Sequence, residues 1–276
     1  MKQVLGGALQ VKWNLTRNVK KFQHADILVL SIGKSGRTWL RVLLNKYIAQ
    51  RCGLDFGLGD LSRLTDTIPS ICYSHELWEH FSKAGLSQRW LGKYIIPDRL
   101  LLKKKVILLF RDPRDILVSL YFHKTRRSVH KIQMDLDAFM RNRKDGIERI
   151  VAVLNTWRRR LASHPRCYWI SYESLKADTT GRLADLVRFI GLEPINHQFV
   201  QTAVAFAAFN NMKQMEARGV FESEILKPSD PNDPNSFKVR EGKVGGYRRH
   251  FNEHQLRYLD HALARLDPFF GYTPLT

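Results

Sequence analysis

Three short stretches of this chain carry side chains able to bind phosphate-like charge or to move a proton. The first is Gly33-Lys34-Ser35-Gly36-Arg37-Thr38, placed after the apolar run Ile27 to Ile32 and before a helical stretch through Val42, Leu43, Leu44 and Tyr47. A strand, turn and helix in that order point successive backbone N–H groups and the helix's positive end at one spot, which holds an anion. Gly33 and Gly36 permit close backbone approach, Lys34 adds an ammonium, and Ser35 and Thr38 add hydroxyl donors. The second stretch is Val106 to His123, where a buried strand delivers Arg111 to its carboxyl end, Asp112-Pro113 opens a helix, and Ser119 follows two helical turns later. An arginine forks onto a phosphate, and a serine hydroxyl donates to the same group. The third is Tyr73-Ser74-His75-Glu76, after another short apolar run. An imidazole of unperturbed pKa about 6.5 can stand neutral and accept a proton at physiological pH, although a lone His at a strand end is more often structural. Glu76 is the competing proton acceptor, and strand alternation puts the two side chains on opposite faces.

These residues need a scaffold that brings strand ends together. The chain alternates short apolar runs with longer helical periodicities, the mark of an α/β fold with a central, mostly parallel sheet flanked by helices. Strands are expected at Ile27 to Ile32, Ser70 to Ser74, Val106 to Phe110 and Cys167 to Ser171. Ile147, Ile150, Val151, Leu154, Trp157 and Leu161 recur at helical spacing, as do Leu183, Leu186, Val187 and Ile190, with Gly191 placed to end that helix. Gly219 to Gly246 gathers three Pro and several Gly and Asn, so a long loop is expected over about 219–250, its basic end near Arg240. A last helix is expected from Glu253 to Leu266. In open sheets of this class, ligands bind beyond the carboxyl ends of the strands. One domain over 26–270, preceded by a segment 1–25, is expected in this chain of 276 residues.

Lys and Arg number 45 against 26 acids, a formal charge of +19, which implies an anionic partner without choosing one. The clusters Lys103 to Lys105, Arg126-Arg127, Arg158 to Arg160 and Arg248-Arg249 read as solvated faces. Cys52, Cys72 and Cys167 form neither a disulfide framework nor a metal pair, which fits a reducing, cytoplasmic setting. No apolar run is long enough to cross a bilayer, and no signal peptide is evident; Leu5, Leu9, Val11, Trp13 and Leu15 among basic residues could lie on an anionic surface. A Walker-type site, and with it an NTP-dependent kinase, would need Gly at position 28, where Leu28 stands inside a strand. A nucleic-acid-binding module rests on net charge alone.

Taken together, the first two motifs resemble those of the sulfotransferases that use 3'-phosphoadenosine 5'-phosphosulfate (PAPS). The resemblance extends to Tyr168-Trp-Ile-Ser-Tyr172-Glu-Ser-Leu, to Phe209-Asn-Asn-Met212-Lys213 and to Lys238-Val-Arg240-Glu-Gly242 through Phe251, from about residue 26 to 270. It implies a P-loop-like phosphate-binding loop and a metal-free transfer of a sulfuryl group to a hydroxyl or amine, leaving adenosine 3',5'-bisphosphate (PAP). It further implies that Lys34 stabilises the departing phosphate, with Ser35, Gly36, Arg37 and Thr38 around the 5' end. Trp39, Tyr172 and Phe209 fall where the family meets the adenine, and Arg111, Ser119, Arg240, Glu241 and Gly242 fall where it holds the 3'-phosphate. His75 matches the general base of the small-molecule branch, whereas some glycan-modifying relatives use a carboxylate. Acceptor contacts are expected from Tyr73, Trp78, Phe81 or Phe122. Four departures stand out: Arg37 replaces Thr and either leans on the phosphosulfate or points outward; Ala207 replaces a hydroxyl residue; Glu241 replaces Lys and should turn to solvent; and the C-terminal dimer motif is not met at Asn252, Glu253 and Arg257. The acceptor, whether small molecule, glycan or lipid-linked sugar, and the oligomeric state are left open.

Overall fold

The structure, a computed structural model, describes residues 17–90, 92–220 and 226–274. The basic-apolar stretch Leu5 to Leu15 and part of the long loop lie outside the described residues.

Four apolar runs become four strands, β1 (Ile27–Ser31), β2 (Ile71–Ser74), β3 (Lys105–Phe110) and β4 (Cys167–Ser171), in one sheet of order β2-β1-β3-β4. Every pairing is parallel. The consequence for chemistry is direct, because parallel strands end on the same edge. The register sets Leu30 opposite both Ser74 and Leu108, and Phe110 opposite Ser171. Gly33, His75, Arg111 and Tyr172 therefore all leave the sheet along one edge.

A parallel sheet must be covered on both faces, which is why its strands read as continuous apolar runs. Leu28, Leu30, Val106 and Leu108 face one core, with α4 (Ile147–Leu161) and α9 (Glu253–Leu263). Ile27, Val29, Ile107 and Leu109 face the other, against α2 (Arg37–Cys52), α6 (Thr179–Ile190) and α7 (His197–Phe206). The remaining longer helices are α1 (Arg17–His24), α3 (Pro113–Phe122), α5 (Tyr172–Ala177) and α8 (Phe209–Ala217).

The local signals account for most boundaries. Asp112 caps α3 by accepting from Arg114 N–H, with Pro113 as first helical residue, where its missing donor costs nothing. Gly191 ends α6 in the left-handed region at φ 92. Helix α9 opens on a capping box between Asn252 and Gln255 but stops at Leu263, short of the expected Leu266. There the chain tightens through Leu266 N–H to Leu263 O, ahead of Asp267-Pro268, and a residue before proline resists helical backbone. Beyond α8, the described part of the long loop holds only the short turns Pro234–Ser236 and Gly246–His250. Among the described residues, no helix is long and apolar enough to cross a membrane.

Candidate active site

The turn after β1 takes an uncommon backbone path. Lys34 has φ 76 and Gly36 has φ 94, so two of three consecutive turn residues with Ser35 between them are left-handed. At Gly36 the need is steric as well: a Cβ there would sit 2.6 Å from Tyr172 Cδ2, so the Tyr172 ring lies against the loop. Trp39 meets the edge of that ring at 5.6 Å between centroids and donates its indole N–H to Ala207 O at 3.0 Å. Ala207, where a hydroxyl was expected, thus serves this region through its backbone. The Arg111 guanidinium lies 4.3 Å from the centroid of the Tyr172 ring. Ser35 is fully buried, and its hydroxyl has no hydrogen-bond partner. Thr38 is half-buried in the first turn of α2.

Positive charge accumulates around this turn. Burial pushes the Lys34 ammonium down to about 7, and Arg127, Arg111 and Arg240 push it in the same direction, opposed by Glu216. Arg127 had read as part of a solvated cluster; instead it is half-buried and acts on Lys34, because α3 continues into a wide turn, His123–Arg127, that folds the cluster inward. Arg160, in another such cluster, bonds Asp98 and Ile96 O. Arg111 is held by Asp115 at 3.1 Å and by Lys243 O at 2.7 Å, while its Nε is buried without a partner. The Asp115 carboxylate also accepts from Gly245 N–H and Tyr247 N–H at 2.9 and 3.0 Å, so one acid orients the arginine and ties down the long loop. Sequence reasoning missed Asp115, although its spacing of four from Arg111 is that of facing helical neighbours.

The loop's own residues come in part to the same place. Arg240 lies 4.1 Å from the Phe122 ring centroid, and burial with Arg249 and Arg111 lowers its pKa to about 10. Glu241 does not turn to solvent. It pairs with both Arg240 and Arg249, which answer its charge where water was expected to. Gly242, at φ 58, is covered by Phe209: a Cβ would stand 2.6 Å from Phe209 Cδ2. Ser119 is half-buried on α3 and is not among the partners of Arg111.

On the other flank, His75 follows β2 directly. Its Nδ1 lies 2.9 Å from Ser31 O and 3.3 Å from Ser31 Oγ. A carbonyl accepts only from a protonated nitrogen, so the proton sits on Nδ1 and Nε2 carries the lone pair. Burial, then Arg37, holds the His75 pKa well below 6.5. His75 lines a cavity of about 150 Å³ with Lys21, Phe22, Arg37, Tyr73, Ser74, Glu76 and Glu79. The expectation that His75 and Glu76 face apart is thus corrected: β2 stops at Ser74, and strand alternation does not govern the turn that follows. Burial and Glu79 push the Glu76 carboxyl up to about 8. Arg37 does not point outward: it is half-buried and lines the same cavity. Of the four aromatic acceptor candidates only Tyr73 does so; Phe122 and Phe81 carry Arg240 and Arg149, and Trp78 is buried beside Gly33.

Comparison with known proteins bears on the family and the fold. The profile of a family described as Sulfotransferase domain matches residues 24–266. Sulfotransferase 2B1 of Homo sapiens is 25% identical over 274 residues, covering 91% of this chain and 68% of its own length. Cytosolic sulfotransferase 17 of Arabidopsis thaliana is 24% identical over 257 residues, covering 87% and 73%. Among solved structures, mouse sulfotransferase SULT7A1 complexed with PAP superposes with a TM-score of 0.60 at 20% identity, over 88% of this chain and 84% of that one. With a family match that spans nearly the whole chain, this chain belongs to the sulfotransferase domain family.

Proposed function

We propose that this protein transfers the sulfuryl group of PAPS to a hydroxyl or amine of a small acceptor, with His75 as general base and Lys34 as the cation at the departing phosphate. One observation carries the reading: the Lys34 turn and Arg111, with Arg127 and Arg240 acting on Lys34, gather cations at the same sheet edge from which His75 emerges. The PAP bound in mouse SULT7A1 supports the choice of nucleotide. The residues present suit such a ligand. Ser35 Oγ and Arg111 Nε are buried polar groups with no partner in the protein, and lowered lysine and arginine pKa values mark cations that an anion would stabilise.

PAPS supplies an activated S–O bond whose rupture leaves charge on the 5'-phosphate. Lys34 and the N–H groups of the turn neutralise that charge, the kind of preorganised stabilisation that is strongest in a dry site. His75 Nε2 takes the acceptor's proton as the new O–S bond forms, and the Nδ1–H bond to Ser31 O fixes the tautomer that makes this possible. Arg111, oriented by Asp115, and Arg240 hold the 3'-phosphate, while Trp39, Tyr172 and Phe209 frame the base. The proposal includes a cytoplasmic setting, which three free thiols and the likeness to a cytosolic relative support.

The test combines PAP calorimetry with transfer from labelled PAPS into a pool of small acceptors. His75→Ala should lower turnover by a factor of at least about 100, within the range for a lost general base, while PAP affinity stays within about threefold. Glu76→Gln, which mimics a protonated carboxyl, should keep turnover within about threefold. The reverse pattern would assign the base to Glu76.

A further inference from the structure

The cavity beside His75 holds four ionisable side chains besides the imidazole, and their charges do not cancel. Glu79 is answered by Lys83 at 2.7 Å. Glu76 is almost fully buried, and with its pKa near 8 it stands neutral at pH 7, a hydrogen-bond donor. Lys21 and Arg37 are left as cations. Arg37 is half-buried with Arg41 as its strongest charged neighbour and Glu79 as the acid opposing it, and its Nη1 is sealed from solvent without a hydrogen-bond partner. Apolar lining is slight, confined to Phe22 and the Tyr73 ring.

Resting on the sulfotransferase reading, we infer that the acceptor is a one-ring molecule carrying a carboxylate as well as its hydroxyl, the carboxylate paired with Arg37 and the hydroxyl presented to His75. The size follows from the volume, about 150 Å³, which is that of a cavity able to hold a single six-membered ring. The charge follows from the Arg37 guanidinium, whose Nη1 has no hydrogen-bond partner and whose planar fork fits a carboxylate in two parallel hydrogen bonds. The field at the base points the same way: the charges that act most on His75 are Arg37, Lys238 and Lys83, all cations. A bound carboxylate offsets that field, raises the basicity of Nε2 and so strengthens the base only when an acidic acceptor is in place. A neutral or cationic acceptor leaves Arg37 unpaired and His75 weak.

Labelled PAPS, with two acceptor sets matched in shape and differing in charge, tests the inference. One set is 4-hydroxyphenylacetate, its methyl ester and tyramine; the other is glucuronate, glucose and glucosamine. The acid of at least one set should be sulfated with a kcat/KM at least tenfold above its neutral and cationic partners. Arg37→Gln should erase that preference, Arg37→Lys should restore part of it, and PAP calorimetry on both variants verifies that they are folded. Equal or better use of the neutral or cationic partners, a preference that survives in Arg37→Gln, or a PAP-binding protein that sulfates neither acid would each overturn the inference while leaving the sulfotransferase reading in place. A wild-type protein that binds no PAP would remove that reading and this one with it.

Discussion

Lys34 and His75 illustrate how one environment sets two proton affinities. Both are half-buried, and desolvation penalises the charged form of each, so the lysine falls to about 7 and the histidine well below 6.5. For the proposed base this is useful, since a neutral imidazole persists through the physiological range. For the lysine it means that a polyanion must restore the charge. In the free protein Lys34 loses its proton as pH rises through about 7; on the proposed reading the PAP-bound form keeps it, so binding above that pH should take up a proton. PAP affinity should then fall by up to about tenfold per pH unit above pH 7, with proton uptake visible by calorimetry in buffers of different ionisation enthalpy. Lys34→Met should abolish both effects. Folding shows the same linkage: with a folded pKa below 10.5, the unfolded chain binds more protons between about 7 and 10.5, so this group's contribution favours the native state as pH rises through that window.

Elements meet through glycines. Gly36 lets α2 begin under the Tyr172 ring at the start of α5, and Gly242 lets the long loop pass under Phe209 at the start of α8. In each case an aromatic ring occupies the space of the missing side chain. Gly242→Ala should destabilise by roughly 1–3 kcal/mol, combining left-handed strain with the 2.6 Å overlap on Phe209, and should weaken PAP binding. Adding Phe209→Ala should relieve the overlap but not the strain at φ 58, so denaturation of the double variant should recover part of the loss. The sequence showed Gly36 as a point of close backbone approach and Gly242 as a breaker, each near basic residues. It could not show the rings above them, because residues 36 and 172, or 242 and 209, meet only after the chain has folded.

At the scale of the molecule, Glu216 joins the scaffold to its loop. Fully buried at the end of α8, it accepts from Lys238 N–H at 2.6 Å and from Val239 N–H at 2.8 Å, and it is the acid that offsets the cations around Lys34. Glu216→Gln replaces one acceptor oxygen with an amide that cannot accept, and a hydrogen bond to a buried charge is worth roughly 1.5–3 kcal/mol. A loss of that size in urea unfolding is expected, together with faster proteolysis within 226–250. A second buried network, Arg114 with Asp112 and Asp260, ties the start of α3 to α9.

The chain by itself determined the α/β class, all four strands, the Lys34 turn and the Arg111 motif, because these are written in local periodicity and in adjacent residues. Parallel strands then left little freedom in where the motifs would gather. Tertiary structure alone decided the rest: that Arg127 turns inward onto Lys34, that arginines hold Glu241, that Glu216 anchors the loop, and that Arg37 faces the His75 cavity with Glu76. Each of these depends on which charge stands opposite another in a desolvated space, and such pairing has no periodicity for a sequence to display.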